Sequence, residues 1–155
     1  MTMHATAREA NIRDSVKKFF VDTYTVPMTF DKALSTPDIQ GRTVYKWINV
    51  LVHVASVGVL SDILVYIYCC TRQDNEFFKL SQLRDTIIEG LSVDPTTKQS
   101  DGAKRITFYQ SSAVNPWTVL GALVVTDVIE SPTMEGPDET KYKILTVRLR
   151  TSSKV

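Results

Sequence analysis

The chain has 155 residues, of which 43% are hydrophobic and 23% are charged, a composition typical of an ordinary globular domain and not of a disordered or fibrous chain. Its 18 basic and 17 acidic residues nearly cancel, so there is no excess of the basic side chains that neutralise nucleic-acid phosphates. We therefore predict a single domain over residues 1–155, without DNA as an obvious primary ligand.

Three features of the sequence bear on where the protein works. The richest apolar run, residues 47–70, is interrupted by polar residues such as Asn49 and Asp62, so no transmembrane helix is expected. Charged residues precede any apolar cluster at the N-terminus, which is the wrong order for a secretory signal, and we expect the protein to be made in and to stay in the cytoplasm. Adjacent Cys69 and Cys70 would point to opposite faces of a strand, so we interpret them as buried, reduced thiols.

The first third of the chain predicts a helix, a short strand and a long strand. Residues 7–24 carry apolar side chains at steps of three and four, the period of an amphipathic helix. Pro27 excludes helix, and residues 26–30 alternate in size, so a short strand is expected there before a polar loop at 31–42. Between residues 44 and 56, β-branched residues occupy four successive even positions, which predicts a long strand with one apolar face.

A second strand and a second helix follow. Residues 63–70 are apolar at nearly every position, as in a central strand that is covered on both sides. Asp74 or Asn75 is placed to cap a helix whose apolar residues keep a helical period as far as Leu91. Gly90 is placed to end that helix.

The last third predicts three more strands. Residues 105–109 form a short one, and residues 117–129 and 142–150 form two longer ones, separated by the polar, turn-rich segment 130–141. A long antiparallel hairpin is the simplest arrangement of the last two. The predicted fold class is therefore α+β, with two helices packed on a mixed, mostly antiparallel sheet that ends in a long C-terminal β-hairpin.

The common catalytic arrangements cannot be assembled from this sequence. Its two histidines are His4 near the terminus and His53 inside a strand, so nucleophile–histidine pairs and zinc-ligand spacings are both missing. The six glycines are scattered singly, so there is no phosphate-binding loop or dinucleotide fingerprint. We expect no cofactor, no metal and no enzymatic activity.

One group of residues keeps a metal-dependent nuclease open as an alternative. Asp127, followed by Glu139 and Lys141, resembles the D followed by E-x-K of restriction-type nucleases, in which two carboxylates hold a divalent ion and the lysine stabilises charge at the attacked phosphate. Adjacent hairpin strands would bring the three together. However, Asp127 lacks the preceding proline of that family and Glu139 lies in a turn-rich segment, so a solvated hairpin is the preferred interpretation.

Five segments together carry a resemblance to a known family. They are the N-terminal helix running into V-P-M-T-F-D at residues 26–31, T-P-D-I-Q-G at 36–41, Y-K-W-I-N-V-L-V at 45–52, Y-C-C-T-R at 68–72 and L-x-x-L-R-D at 80–85. In these segments, and in its layout over almost the entire length, the chain resembles the tail terminator, or tail-completion, proteins of long-tailed bacteriophages.

The resemblance implies a structural protein with no active site. Members of that family form a ring, typically a hexamer, which caps the last ring of the tail tube, stops its polymerisation and presents a surface for joining the head. The implied location is the neck region of the virion. The implied partners are further copies of the chain, the tail-tube protein and the head-to-tail connector, with DNA only as passing cargo. The alternatives are another neck component, such as a stopper or adaptor, and a cytoplasmic binding module unconnected with phages.

Two regions are candidates for contact with partners. Long loops on a rigid sheet often carry function, and the connection of the predicted hairpin contains Pro132, Met134, Glu135, Asp138, Glu139 and Lys141; a mobile turn is an equally simple interpretation. Strand residues 118–128 are apolar on both faces, so one face is covered either by the helices or by a neighbouring subunit. Exposed strand edges that pair around a circle would close the ring.

Overall fold

A computed structural model describes residues 4–32, 34–37, 44–57, 60–92, 105–111, 117–136 and 139–152. Within these ranges the chain forms two α-helices and seven strands after a short 3-10 turn at Ala5–Ala7. In chain order the elements are α1 (Glu9–Thr23), β1 (Met28–Phe30), β2 (Lys46–Ser56), β3 (Leu60–Thr71), α2 (Phe78–Ser92), β4 (Arg105–Gln110), β5 (Thr118–Glu130), β6 (Met134–Glu135) and β7 (Lys141–Ser152).

The seven strands form one sheet. Its order is β1-β2-β3-β7-β5-β4, and β6 pairs with the beginning of β7. β1 is parallel to β2, whereas every other pair is antiparallel. β5 and β7 are the two arms of the predicted hairpin. The structure therefore confirms an α+β fold with a mixed, mostly antiparallel sheet. Neither described helix is long and apolar enough to cross a membrane.

Both helices pack on the same face of the sheet, here called the inner face. Successive side chains of a strand point to opposite faces, so alternate residues of each central strand reach this side. They are buried against the apolar sides of α1 and α2, and each large apolar side chain so buried contributes roughly 1.5–3 kcal/mol. The fully buried members include Ile12 and Phe20 from α1, Ile87 from α2, and Ile48, Ile63, Ile67, Phe108, Leu123 and Leu145 from the sheet.

Helix α2 is capped by Asp74, as the sequence predicts. The carboxylate of Asp74 accepts hydrogen bonds from the backbone N–H groups of Lys79, at 3.2 Å, and Leu80, at 2.9 Å, which have no partner within the first turn of the helix. Thr71 donates a further hydrogen bond from its hydroxyl group. Burial alone raises the pKa of Asp74, but these hydrogen bonds outweigh it and hold the pKa below its usual value.

The prediction that Gly90 ends α2 is wrong, because the helix continues to Ser92. Gly90 instead permits a close contact between the helix and the segment that follows α1. A Cβ atom at this position would lie 2.5 Å from the hydroxyl oxygen of Tyr24. Tyr24 is buried, and its hydroxyl donates a 2.7 Å hydrogen bond to the backbone oxygen of Ile87. The glycine is therefore required by packing and not by the end of a helix.

Helix α1 also closes one edge of the sheet. The hydroxyl of Ser15 accepts a hydrogen bond from the N–H of Tyr109 in β4, at 2.8 Å, and donates to the backbone oxygen of Asn11, at 2.7 Å. The side-chain oxygen of Asn11 accepts from the N–H of Ser111, just after β4, at 3.2 Å. Both polar side chains are buried. This edge is therefore occupied, although an open edge would invite another strand.

We expect Gly90→Ala to destabilise the protein by about 1–3 kcal/mol, because the added methyl group must displace the ring of Tyr24 and this outweighs the better helix propensity of alanine. Gly121→Ala is the control, since nothing lies within 4 Å of the Cβ atom it would add, and its effect should stay within about 0.5 kcal/mol. Urea unfolding measures both. A Gly90→Ala variant as stable as the wild type would contradict the close contact.

Ser15→Ala should cost roughly 1–3 kcal/mol, because it leaves the N–H of Tyr109 buried without its acceptor. Hydrogen exchange followed by NMR should show faster exchange at Tyr109 in this variant than in the wild type. Thr86→Ala removes an exposed hydroxyl that bonds only within α2 and serves as the control. Unchanged exchange at Tyr109 in Ser15→Ala would show that α1 does not protect this edge.

Candidate functional site

The face of the sheet opposite the helices, here called the outer face, is covered by neither described helix. Its side chains follow the strand register in rows that cross β2, β3, β7 and β5. One row consists of Leu51, Tyr66, Thr146 and Ile129, and the next consists of His53, Leu64, Arg148 and Asp127. The outer face is therefore continuous over four strands.

An apolar strip runs along the first of these rows. Leu51 and Tyr66 are half-buried, and Ile129 at the end of the row is 66% exposed. Ile144, in the neighbouring row, is also half-buried. The solvent-facing side of an antiparallel sheet is ordinarily polar, so apolar side chains that stay partly exposed on it form a candidate contact surface, although Thr146 separates Tyr66 from Ile129. We call Leu51, Tyr66, Ile129 and Ile144 the apolar strip.

Charged residues border the apolar strip on one side. The guanidinium of Arg148 lies 4.0 Å from the carboxylate of Asp127, and that of Arg150 lies 2.9 Å from the carboxylate of Asp62. Exposed ion pairs of this kind contribute only about 0–1 kcal/mol to stability. At an interface, their alternating positive and negative charges would instead favour one alignment of the partner over others.

The other end of the outer face is covered by the chain itself. Trp47 and Cys70 are fully buried there together with Val44, and Tyr68 and Tyr142 stack beside them with ring centres 6.1 Å apart. These five residues form a second, smaller core. Among the described residues, this core covers the end of the outer face that lies away from the apolar strip.

Arg72 closes this second core. Its guanidinium lies 5.1 Å from the centre of the Trp47 ring and donates hydrogen bonds to the hydroxyl oxygens of Thr36 and Thr140. Cys70 beneath it is buried, and burial raises the pKa of its thiol to about 12. Cys69 and Cys70 are both buried and form no disulfide. The predicted burial of both thiols is therefore confirmed.

Part of the connection between β5 and β7 forms a short strand, whereas the sequence predicts only a polar, turn-rich segment there. Met134 and Glu135 form β6 and pair with the beginning of β7. The N–H of Gly136 then donates a 2.6 Å hydrogen bond to the backbone oxygen of Thr140. On its other side the beginning of β7 pairs with β3, with Tyr142 opposite Cys70 and Lys141 opposite Thr71, so β6 extends the sheet on the β5 side of β7. We call residues 131–136, 139 and 140 the hairpin ribbon.

The predicted contact residues occupy different environments in this ribbon. Exposed positions are Pro132, Glu135 and Glu139, so these side chains are available to a partner. Met134 is half-buried. Asp138 lies outside the described residues.

Lys141, the last of the predicted contact residues, is engaged within the chain. Its ammonium group donates a hydrogen bond to the backbone oxygen of Asp74 and lies 4.4 Å from the centre of the Phe77 ring. Both partners belong to the segment that leads into α2. Lys141 therefore joins the hairpin to the start of that helix.

The three residues of the nuclease pattern do not come together. Asp127 pairs with Arg148 of β7, seven positions beyond Lys141 along the strand, so at the usual rise per residue roughly 20 Å separate the two levels. Glu139 lies at the Lys141 end of β7. Among the described residues, no group of three or more His, Cys, Asp or Glu side chains is arranged to hold a metal ion.

An ionic cluster at the base of the hairpin was missed by sequence reasoning. The carboxylate of Glu130, at the end of β5, accepts a 2.7 Å hydrogen bond from Arg84 of α2 and lies 3.1 Å from the ammonium group of Lys143. The hydrogen bonds from Arg84 are the main cause that lowers the pKa of Glu130 to about 2. The three residues are far apart in sequence, so no local sequence pattern predicts the cluster.

Glu130 should make the stability depend on pH in a defined window. Its pKa is about 2 in the folded chain against a usual value of 4.5, so its stabilising effect is fully present above pH 4.5 and is lost as the pH falls toward 2. Urea unfolding over this range should show a steeper loss of stability in the wild type than in Glu130→Gln. Arg84→Gln, which removes the main partner, should also flatten the profile. Parallel profiles for all three proteins would contradict this account.

Comparison with known proteins bears on the fold alone. No protein-family model matches the chain, and no curated protein matches it. Four solved chains are similar to it in structure. One of them aligns with a TM-score of 0.62 and 10% sequence identity over 96% of this chain and 98% of that chain. The two chains therefore share a fold over nearly their whole lengths.

Proposed function

We propose that the chain is a structural subunit of a tailed bacteriophage, which assembles with copies of itself into a ring on the head-proximal end of the tail tube. There it ends the polymerisation of the tube and provides the joint to the head. The observation that carries the proposal is the apolar strip on a sheet face that neither described helix covers. The assignment to a phage neck comes from the sequence resemblance, whose segments run from the N-terminal helix to residue 85 and whose layout spans almost the entire chain.

The apolar strip is suited to contact between subunits. Tyr66 and Ile129 lie in one row across the strands, and complete burial of a large apolar side chain contributes roughly 1.5–3 kcal/mol. A surface of this kind that recurs in every copy stabilises an assembly of identical subunits, and closed symmetry limits that assembly to a fixed number. Shape and burial are then sufficient for the role, and no bond-making group is required.

The hairpin supplies a second contact at a different place on the molecule. The exposed residues Pro132, Glu135 and Glu139 lie on the hairpin ribbon, at the end of the sheet where β7 begins. The apolar strip crosses β7 farther along that strand, at Thr146, and lies on the outer face. We assign the strip to neighbouring copies and the ribbon to the tail-tube protein or the head-to-tail connector.

Another neck component, such as a stopper or adaptor, would use the same surfaces with a different partner. The difference between these roles is therefore which partner the ribbon binds. A metal-dependent nuclease has no comparable support, because Asp127 lies far from Glu139 and Lys141 along β7.

The proposal predicts that the purified chain stops the growth of tubes formed by the tail-tube protein of the same phage, as seen by electron microscopy. Ile129→Glu should weaken this capping by at least about tenfold, because a charge buried in the contact costs more than 1.4 kcal/mol. Val21→Glu changes an equally exposed apolar residue on α1 and should cap like the wild type.

The outcomes separate the alternatives. Tubes that grow unchanged in the presence of the wild-type chain contradict the terminator role. Binding to the head connector without any effect on tube growth would favour a stopper or adaptor instead. Equal loss of capping in Ile129→Glu and Val21→Glu would show that the apolar strip has no special part in assembly.

A further inference from the structure

The apolar strip cannot form a ring by meeting itself. If the strips of two copies packed on each other, the same surface would lie on both sides of the contact, and the result would be a two-fold dimer. A ring requires the strip to meet a different surface of the next copy, because only a contact between unlike surfaces repeats from copy to copy and closes. The second surface must therefore lie elsewhere on the chain.

Ile129 and Phe78 are the two most exposed large apolar side chains of the described residues, at 66% and 65%. Ile129 ends the apolar strip on the outer face. Phe78 is the first residue of α2, which packs on the inner face, so Phe78 lies on the helix side of the sheet. A head-to-tail contact needs two unlike surfaces of this kind on different sides of one subunit.

Phe78 takes no part in the core of its own chain. The buried side chains of α2 follow one another at steps of three and four residues and define its core-facing stripe: Leu80, Leu83, Ile87 and Leu91. Phe78 lies outside this stripe and belongs neither to the core beneath the helices nor to the apolar side chains that pack against that core. Aromatic side chains are enriched in protein interfaces, where they bury a large apolar area. The exposed ring is therefore suited to contact with another molecule.

The residue before Phe78 is held firmly in place. Phe77 has a left-handed backbone, with φ of 57°, a conformation that bulky residues rarely adopt. Its ring packs against the core beneath the helices, and the centre of that ring lies 4.4 Å from the ammonium group of Lys141. Asp74 caps the helix just beyond it. One ring is thus kept against the core and the next on the surface, and a side chain on a preorganised segment loses less conformational freedom when it binds.

Charged side chains lie beside Ile129 on the outer face. Asp127 is two residues before Ile129 on β5, so the two side chains project from the same face as neighbours. The side chain of Asp127 is 59% exposed, and its carboxylate lies 4.0 Å from the guanidinium of Arg148, which is at the limit for an ion pair. A cationic group from another copy can therefore approach Asp127 without breaking a buried contact.

Charges beside Phe78 complement those beside the strip. Glu76 and Lys79 are exposed, and no ion pair between described residues includes either of them. The ammonium group of Lys79 makes an exposed hydrogen bond of 3.4 Å to a backbone oxygen. When Phe78 covers Ile129 of the next copy, Lys79 comes within reach of the carboxylate beside it. Opposite charges around an apolar contact favour one alignment of the two surfaces.

We infer that Phe78 of one copy packs against Ile129 in the apolar strip of the next copy. Lys79 then lies beside Asp127 of that copy. The contact joins the helix side of one subunit to the outer face of its neighbour, so it runs head to tail around the ring. This inference rests on the self-assembly in the proposed function, and it adds the second surface and the orientation of the subunits.

Crosslinking between two variants tests this contact directly. Lys79→Cys and Asp127→Cys place one added thiol on each surface and leave the two apolar side chains of the contact unchanged. The two proteins are purified separately, mixed and treated with a short bismaleimide, and mass spectrometry identifies the mixed dimer. The two native cysteines are buried, so the reagent joins the added thiols.

Two further samples serve as controls. Asp127→Cys alone is linked only when the strips of two copies meet each other. Asp127→Cys mixed with Val21→Cys, whose thiol lies on the exposed side of α1, reports random collisions. We expect the matched pair to form its dimer at least about tenfold faster than either control, because thiols held side by side react at a higher effective concentration. Equal rates would overturn the inference, and faster linking of Asp127→Cys to itself would show a two-fold contact between strips instead.

Phe78→Ser removes an exposed ring, so the stability to urea should be kept while self-association weakens. Its dissociation constant, measured by light scattering, should rise at least about tenfold, because the buried apolar area of the contact is lost. Phe78→Leu keeps an apolar side chain and should assemble more like the wild type. An unchanged dissociation constant in Phe78→Ser would also overturn the contact.

The capping assay separates this inference from the proposed function. Tube growth that is stopped by a chain whose variants crosslink without selectivity refutes the contact and leaves the terminator role in place. Selective crosslinking in a chain that does not stop tube growth refutes the terminator role and leaves the contact in place.

Discussion

The packing of both helices on one face of the sheet is the constraint on which the rest of the structure depends. Each helix is fixed on this face by its own contacts. α1 covers the inner face and closes the β4 edge, and α2 is held by the Asp74 cap and by the pairing of Arg84 with Glu130. The outer face is therefore left to short segments of chain. These cover Trp47 and Cys70 at one end and leave the apolar strip at the other.

The two sides of the sheet are unequal, and this inequality favours a particular kind of assembly. Buried Asn11 and Ser15 occupy the β4 edge, so that strand is not available to a neighbour. A ring of copies would therefore form through the apolar strip and not through this edge. A contact between unlike surfaces propagates head to tail and closes as a ring, whereas self-complementary surfaces give two-fold dimers.

The sequence predicts the elements well because their patterns are local. The even positions of β2 and the odd positions of β7 alternate as a one-sided core requires, and Asp74 stands where a helix cap is needed. Gly90 was misread because its role is set by Tyr24, which is distant in sequence. The second core around Trp47 and the ionic cluster at Glu130 depend on tertiary contacts in the same way.

The candidate site was predictable only in part. The apolar character of both faces of β5 left open cover by the helices or by a neighbour, and Leu123 and Val125 are buried in the core beneath the helices. The hairpin was correctly placed at the end of the chain. The segment 130–141 is polar and turn-rich, so neither the hydrogen bond from Lys141 to Asp74 nor the formation of strand β6 could be predicted from it. Where each strand stops pairing depends on register and bulges, and these are set by the partner strands and not by the strand's own sequence.

The central claim is that the chain acts through contacts between copies at the outer face of its sheet. Hydrogen exchange measured at low and at high protein concentration tests this claim most directly. The account predicts that amides at and beside the apolar strip, around Leu51 in β2 and Ile129 in β5, exchange more slowly as the concentration rises, while the exposed side of α1 is unchanged. Exchange that is independent of concentration throughout the chain, or slowed only on α1, would contradict it.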